Sequence, residues 1–193
     1  MVATIYLLRH ANTTPSPSYA PLFDWPLDAL GQSQARRLVP LLMELRIDHV
    51  ACSPQRRATE TVMPFASMLG MGLESREELA ESGFNRSWTG DFSALVQSHW
   101  DDFDYCRADC ESHRNCQTRF VAALVELARA RGGNTLVCSG GQAIGLALQS
   151  IDDGFGFEDW AEIRTPDLFR LAWDGERLAW DREFAFDEDG SLS

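Results

Sequence analysis

An arginine and a histidine, Arg9 and His10, stand side by side near the start of the 193-residue chain. The imidazole of His10 can act as a nucleophile near neutral pH, because a histidine needs no special activation to be uncharged there. The planar guanidinium group of Arg9 presents paired donors that match the oxygens of a phosphate. Together these two residues favour phosphoryl transfer through a histidine.

The elements around this pair would place it where ligands bind. Residues 2–8 form an apolar run that is rich in β-branched and aromatic side chains, which predicts a buried strand. Loop-forming residues, Asn12 to Pro15, follow the pair. Open α/β sheets bind ligands at the carboxyl ends of their strands, so we expect His10 at that edge.

A second candidate anion site follows a second predicted strand, residues 49–52. Ser53 is predicted as the N-cap of a helix that has Pro54 at its first position. The free N–H groups of this helix start, and the positive end of its dipole, would face the same edge of the sheet. Arg57 lies one turn into the helix and would reach the same anion, whereas we expect Arg56 to point to solvent.

A third junction joins a predicted strand, residues 135–139, to a helix that is predicted to begin at Gln142. Gly140 and Gly141 between them would allow the backbone to approach an anion closely. We therefore predict that the phosphate site includes these two glycines and the hydroxyl group of Ser139.

A carboxylic acid is also needed, because the alkoxide that leaves in phosphoester hydrolysis departs slowly unless it is protonated. Glu81 is our candidate for this acid. Glu77 and Glu78 are its competitors, but we expect both of them to be solvated charges.

Four blocks of the chain, taken in order, resemble the histidine phosphatase superfamily, the phosphoglycerate-mutase-like enzymes. The first is the Leu-Arg-His sequence that ends at His10. Residues 27–35 resemble Leu-Thr-x-x-Gly-x-x-Gln-Ala, with aspartate in place of threonine, and residues 53–61 resemble Ser-Pro-Leu-x-Arg-Ala-x-x-Thr. Residues 79–90 resemble Leu-x-Glu-x-x-Phe-Gly-x-Trp-Glu-Gly, with one extra residue before the tryptophan.

This resemblance implies a fold and a mechanism. The fold would be a single three-layer α/β/α domain with a mainly parallel central sheet. The activity would be hydrolysis of a small phosphorylated substrate, with a phosphohistidine intermediate on His10. Arg9, Arg57 and Asn12 would bind the phosphate, and Glu81 would protonate the leaving oxygen and then activate water. No metal or other cofactor is implied, and hydrolysis is favoured over mutase activity because mutases of the family usually carry a longer insert.

The chain departs from the family at one catalytic position. The family block Val-Ser-His-Gly-Gly-x-Ile supplies a second histidine, which corresponds to Gly140 or Ser139 here, depending on the alignment. Loss of one charge-stabilising donor typically costs on the order of 10²–10³ in rate, so we expect a slow phosphatase. A histidine placed at one of these two positions would then raise turnover. The alternative is a non-catalytic phospho-ligand-binding or regulatory protein with the same fold.

Cysteines and a histidine elsewhere offer a different chemistry. Cys106, Cys110, His113 and Cys116 have the ligand types and number of a zinc site, which makes a zinc-dependent hydrolase a third hypothesis. Their spacing is not a common zinc pattern, and at helical pitch Cys116 falls off the face of the other three. Buried or half-buried thiols are the better interpretation, so we predict no metal site.

The remaining sequence predicts the architecture. Strands that alternate with helices indicate a parallel α/β core with helices on both faces. Asp28 is predicted to cap a helix that Pro40 kinks or restarts. The dipeptide Asp174-Gly175 predicts the turn of a C-terminal hairpin. We expect one domain over residues 1–193, with a frayed tail at residues 187–193.

Composition narrows the choice of partners. The formal charge of -12 argues against a nucleic acid or an anionic membrane, although a local cluster of arginines would still bind a phosphorylated substrate. We find no stretch with the length of a membrane span and none that resembles a signal peptide. The odd number of cysteines, five, favours reduced thiols and a cytoplasmic location. The sequence indicates neither the substrate nor the oligomeric state.

Overall fold

The computed structural model describes residues 2–14, 25–82, 92–106 and 111–186 of the chain. In these ranges the strands are β1 (Ala3–Arg9), β2 (His49–Cys52), β3 (Leu73–Ser75), β4 (Gly133–Ser139), β5 (Asp167–Trp173) and β6 (Leu178–Asp181). The helices are α1 (Ala29–Glu44), α2 (Arg56–Leu69), α3 (Phe92–Asp101), α4 (His113–Arg131), α5 (Gly141–Ile151) and α6 (Phe157–Ala161), with a short 3₁₀ helix at Glu77–Leu79. None of the helices in the described ranges is long and apolar enough to cross a membrane.

The sheet is mainly parallel, as predicted. Its strand order is β3-β2-β4-β1-β5-β6, in which the first four strands pair in parallel and the last two join antiparallel. Parallel pairing brings the carboxyl ends of β1, β2 and β4 to one edge of the sheet. His10, Ser53 and Gly140 directly follow these three strands, so all three junctions singled out in the sequence meet at this edge.

Two hydrophobic cores cover the two faces of the sheet, which confirms the three-layer α/β/α architecture. Helices α1 and α2 pack on one face, where they bury Leu8 and Leu136. Helices α3, α4 and α5 pack on the other face, where they bury Ile5 and Val137. Neighbouring residues of one strand therefore enter opposite cores, which explains why β1 and β4 are apolar on both sides.

The predicted C-terminal hairpin is also confirmed. Strands β5 and β6 pair antiparallel, and Asp174 and Gly175 lie in the connection between them. Gly175 has a φ angle of 110°, which favours glycine. Strand β6 ends at Asp181, whose side chain accepts the backbone N–H of Glu183 at 3.0 Å in a turn.

Two helix starts test the capping predictions. Asp28 caps α1 as predicted, since its Oδ1 atom accepts the N–H of Gly31 at 2.7 Å. The prediction that Ser53 caps α2 is wrong. The hydroxyl oxygen of Ser53 accepts the N–H of Gln55 at 3.2 Å in a turn, and α2 begins only after Gln55.

Of the two effects predicted for Pro40, the restart of the helix is wrong, because α1 is continuous, and the kink stays a prediction. The helix runs through Pro40 from Ala29 to Glu44. A proline removes the N–H that would have bonded the carbonyl four residues earlier, here that of Arg36. Arg36 and Pro40 are both exposed, which leaves this carbonyl on the side of the helix that water can reach.

Candidate active site

His10 lies at the carboxyl edge of the sheet, directly after the last residue of β1. Its backbone N–H donates to the carbonyl of Ser139 at 3.0 Å, which ties it to β4. Its Nδ1 atom lies 2.8 Å from the carbonyl oxygen of Ala11. A carbonyl can only accept a hydrogen bond, so this contact assigns the ring proton to Nδ1 and leaves a lone pair on Nε2. The ring is therefore held in the tautomer that a nucleophilic Nε2 requires.

The surroundings of His10 keep its ring neutral. The residue is only 9% exposed, and burial is the main cause that lowers its pKa from 6.5 to about 3. The positive charges of Arg57 and Arg9 lower this pKa further, and they outweigh the opposite effect of the hydrogen bond to Ala11. His10 is therefore an uncharged imidazole at neutral pH, the form in which it can attack an electrophile.

The guanidinium group of Arg9 lies against the start of α5. A Cβ atom at Gly141 would come within 2.9 Å of its Cζ and Nε atoms, so the glycine permits this close approach. Nη1 donates to the carbonyl of Ile163, and the buried Nε has no hydrogen-bond partner among the described residues. Burial lowers the pKa of Arg9, whereas the charges of Glu81 and Asp167 raise it. Nε is thus a candidate donor for a bound anion.

Arg57 projects from the first turn of α2 and is almost fully buried, with 4% of the residue exposed. Burial lowers its pKa, Glu81 acts in the opposite direction, and Arg9 lowers the pKa further. Arg56 points to solvent, as predicted, and pairs with Glu60 at 2.6 Å. The buried guanidinium group of Arg57 and the half-buried one of Arg9 favour an anionic ligand at this edge, although Glu81 and Asp167 offset part of their charge.

Glu81 follows the 3₁₀ helix and reaches the start of α5. Its Oε2 atom accepts the N–H of Gln142 at 3.0 Å, and its Oε1 atom accepts those of Ala143 and Ser82 at 2.8 Å each. The first N–H groups of a helix have no partner inside the helix and attract an anion. The carboxylate of Glu81 therefore occupies the anion position of this helix start.

Gly140 leaves room for that carboxylate. A Cβ atom at position 140 would come within 2.9 Å of Cγ of Glu81 and closer still to its carboxylate oxygen. Arg9 pairs with Ser139 in the parallel ladder, so His10 and Gly140 follow neighbouring strands at the same level. Glu81 thus lies against Gly140 at the end of β4, and His10 lies at the end of the neighbouring strand β1.

Two predicted phosphate-binding residues have protein partners instead. The hydroxyl of Ser139 is fully buried and donates to the carbonyl of Leu79 at 2.7 Å, so its proton already has a partner within the protein, and its contact with phosphate stays a prediction. The side-chain amide of Asn12 donates to Asp28 at 2.7 Å, and its backbone N–H donates to Gln34 at 2.9 Å. Asn12 is thereby fixed at the start of α1, and its contact with phosphate stays a prediction.

Sequence analysis missed two residues that hold Glu81 in place. Gln55 is buried, and its Oε1 atom accepts the backbone N–H of Glu81 at 3.1 Å. Arg119 of α4 donates to the carbonyl of Glu81 at 3.4 Å. The sequence showed only that Arg119 is a charged residue directly before Phe120, a core residue of an amphipathic helix.

The zinc hypothesis concerns Cys106, Cys110, His113 and Cys116, of which Cys110 lies outside the described residues. Within the part of the chain that is described, no group of three or more His, Cys, Asp and Glu side chains is arranged to hold a metal ion. The ring of His113 packs against Trp100, with 5.6 Å between centroids. Burial raises the pKa of the Cys116 thiol and so favours its neutral form.

The assembled groups suit one kind of chemistry. A neutral imidazole, a buried guanidinium group and a half-buried one share a sheet edge with a carboxyl group at a helix start. Guanidinium groups bind phosphate oxygens, an imidazole can attack phosphorus, and a carboxyl group can transfer protons. Residues 83–90, which complete the predicted block around Glu81, lie outside the described residues.

Comparison with known proteins identifies relatives of this chain. A family model described as histidine phosphatase superfamily (branch 1) matches residues 5–182. A curated protein of Hydrogenobacter thermophilus named "Putative phosphoserine phosphatase 2" is 33% identical over 101 residues. That alignment covers 51% of this chain and 50% of the relative, so the chain matches about half of the length of the curated relative.

Solved structures of low sequence identity share the fold. YhfR of Bacillus stearothermophilus has a TM-score of 0.76 and 20% identity, over 99% of this chain and 98% of that one. A mycobacterial glucosyl-3-phosphoglycerate phosphatase in complex with VO3 has a TM-score of 0.75 and 19% identity, over 93% and 96% of the two chains. A phosphoglycerate mutase of Bacillus anthracis has a TM-score of 0.75 and 22% identity, over 93% and 92%.

Proposed function

Because this chain belongs to the histidine phosphatase superfamily, we propose that it hydrolyses a small phosphoester through a phosphohistidine on His10. One observation carries the proposal: a buried, neutral imidazole lies beside the buried guanidinium group of Arg57 and the half-buried one of Arg9. A protein that only binds phosphate needs the arginines but has no use for a histidine held in the nucleophilic tautomer.

The reaction has two steps. In the first, Nε2 of His10 attacks phosphorus, the N–P bond forms, and the P–O bond to the substrate breaks as Glu81 gives its proton to the departing oxygen. In the second, the carboxylate of Glu81 takes a proton from water, and the resulting hydroxide attacks phosphorus and displaces His10. The products are an alcohol and inorganic phosphate. Arg9 and Arg57 stabilise the charge on the equatorial oxygens in both steps.

Two arginines supply the charge that a metal ion provides in other phosphatases. We therefore expect turnover to be unchanged after dialysis against a strong chelator. Complete loss of activity that zinc restores would instead support a metal site that involves the cysteines. Cys52, Cys106, Cys116 and Cys138 are free thiols, which supports the proposal that the protein works in the cytoplasm.

The names of the relatives guide the choice of substrates. The curated relative is named as a phosphoserine phosphatase, and one structural neighbour as a glucosyl-3-phosphoglycerate phosphatase. Each name contains that of a small phosphorylated metabolite as the substrate. We propose a substrate of this class for the present chain, with monoesters rather than phosphorylated macromolecules as the compounds to screen first.

A second candidate function, a phospho-ligand-binding protein without turnover, is favoured by one feature of Glu81. Both of its carboxylate oxygens accept backbone N–H groups. A general acid must carry its proton on one of these oxygens, and only Oε2, which accepts one N–H group rather than two, has a lone pair left to hold it. Binding of phosphate without any turnover would support this second function.

The test is a screen of phosphomonoesters that includes O-phosphoserine, glycerol phosphate and p-nitrophenyl phosphate. We expect metal-independent release of inorganic phosphate from at least one of them. The matched control is His10→Asn, which keeps a polar side chain of similar shape and removes the nucleophile. Activity that survives in His10→Asn would contradict the proposal.

A further inference from the structure

Arg119 makes an unusual set of contacts with the backbone that leads to Glu81. Its Nη1 atom donates to the carbonyl oxygens of Glu78 and Ala80, at 2.8 Å each. Its Nη2 atom donates to the carbonyl oxygen of Glu81 at 3.4 Å. One side chain thus binds three carbonyl groups in a segment of four residues.

These carbonyl groups need a partner from elsewhere in the chain. The 3₁₀ helix ends at Leu79, so the following residues have no regular ladder of hydrogen bonds. Ala80 is buried, and an unpaired carbonyl there would be costly, whereas Glu78 is exposed. The planar guanidinium group of Arg119 has enough donors in fixed directions to serve several carbonyls at once, which a lysine does not.

Arg119 is itself held by Glu111. Its Nε donates to Oε1 of Glu111 at 2.7 Å and its Nη2 donates to Oε2 at 2.6 Å, which makes a bidentate ion pair. Both side chains are 24% exposed. Burial is the largest single effect and opposes the charge of Arg119, but the hydrogen bond to Glu111 and the nearby negative charges, those of Glu111 and Glu81 among them, together outweigh it, and the pKa of Arg119 is raised. The charge and direction of the guanidinium group are therefore fixed.

The geometry points to Arg119 as a positioning residue that aims the carboxyl group of Glu81 during proton transfer, an inference that rests on the proposed function. Arg119 fixes the carbonyl side of residue 81, and Gln55 fixes its N–H. With the backbone anchored on both sides, the carboxyl group of Glu81 keeps its place at the start of α5 while it gives up and regains its proton. Arg119 acts only through Glu81 and touches no reacting atom in this account.

Substrates that differ in how much their leaving group needs a proton distinguish this positioning role from a purely structural one. An alkyl phosphate needs protonation of its leaving oxygen, whereas p-nitrophenolate departs readily without a proton. Misplacement of Glu81 should therefore slow hydrolysis of an alkyl phosphate and hardly affect p-nitrophenyl phosphate. General damage to the fold would lower both rates alike.

The experiment compares kcat/KM for glycerol phosphate and p-nitrophenyl phosphate in the full chain and in Arg119→Lys. Lysine keeps the charge opposite Glu111 but cannot span three carbonyl groups. We expect a loss of about 10²-fold for the alkyl substrate, typical of a misplaced catalytic group, and little change for the aryl substrate. Glu81→Gln should show the same selectivity, and Arg114→Lys is the matched control on the exposed side of the same helix.

Each result has a defined meaning. Equal losses for the two substrates, or no loss for either, would overturn the positioning role. If Arg119→Lys does not fold, Glu111→Gln provides the same comparison, with a smaller loss expected because Arg119 keeps its carbonyl contacts. Failure of the proposed function is recognised separately, as activity that persists in His10→Asn.

Discussion

The side chain of Glu81 fills the space beside Gly140 at the start of α5. A Cβ atom at position 140 would come within 2.9 Å of Cγ of Glu81 and still closer to its carboxylate. This contact argues against one prediction from the sequence, namely that a histidine at position 139 or 140 would raise turnover. A ring at 140 would have to displace Glu81, and position 139 is fully buried, with its hydroxyl bonded to Leu79.

Gly140→Ala should therefore impair proton transfer. The added methyl group would push the carboxyl group of Glu81 off its site, and we expect hydrolysis of alkyl phosphates to slow by about tenfold or more. Gly72→Ala is the matched control, because a Cβ atom there meets nothing within 4 Å. Steady-state rates of the two variants check the prediction, and an unchanged rate in Gly140→Ala would show that the position of Glu81 is unimportant.

The ring of His10 should remain uncharged well below neutral pH. Burial, Arg57 and Arg9 lower its pKa to about 3, so the neutral form dominates down to about one pH unit above that value. An NMR titration of the imidazole nitrogens measures this directly, with His10→Asn used to assign the resonance. A midpoint near 6.5, the ordinary value, would contradict the account of the site.

His113 should make the folded state sensitive to acid. Burial, with a smaller effect from His99, lowers its pKa from 6.5 to about 3. Between these values the unfolded chain binds a proton that the folded chain does not, so stability falls as the pH is lowered from 6.5 towards 3. The loss reaches about 1.4 kcal/mol for each pH unit in this window.

His113→Phe removes that proton while it keeps an aromatic ring against Trp100. We expect the free energy of unfolding to drop less in the variant than in the wild type between about pH 7 and about pH 5. Denaturant unfolding at the two pH values measures the difference. Equal drops in the two proteins would show that His113 is not the group responsible.

The sequence predicted where residues at a strand end or in the first turn of a helix lie. His10 and Arg57 follow apolar runs that form buried strands, and this local pattern fixes where they lie. The hydrogen bond of the Ser139 hydroxyl could not be predicted from this local pattern, because its partner is a carbonyl of the distant residue Leu79. Arg119 was missed for the same reason, since it binds the backbone of residues 78–81, which carries no sequence signal.

A covalent phosphoryl group on His10 is the central claim, and rapid-quench labelling tests it most directly. The protein is mixed with ³²P-labelled p-nitrophenyl phosphate, whose leaving group needs no proton from Glu81, quenched in base, and digested. We expect acid-labile, base-stable label on the peptide that contains His10, more label in Glu81→Gln, where hydrolysis of the intermediate is slowed, and none in His10→Asn. Turnover without label on His10, or label that persists in His10→Asn, would contradict the account.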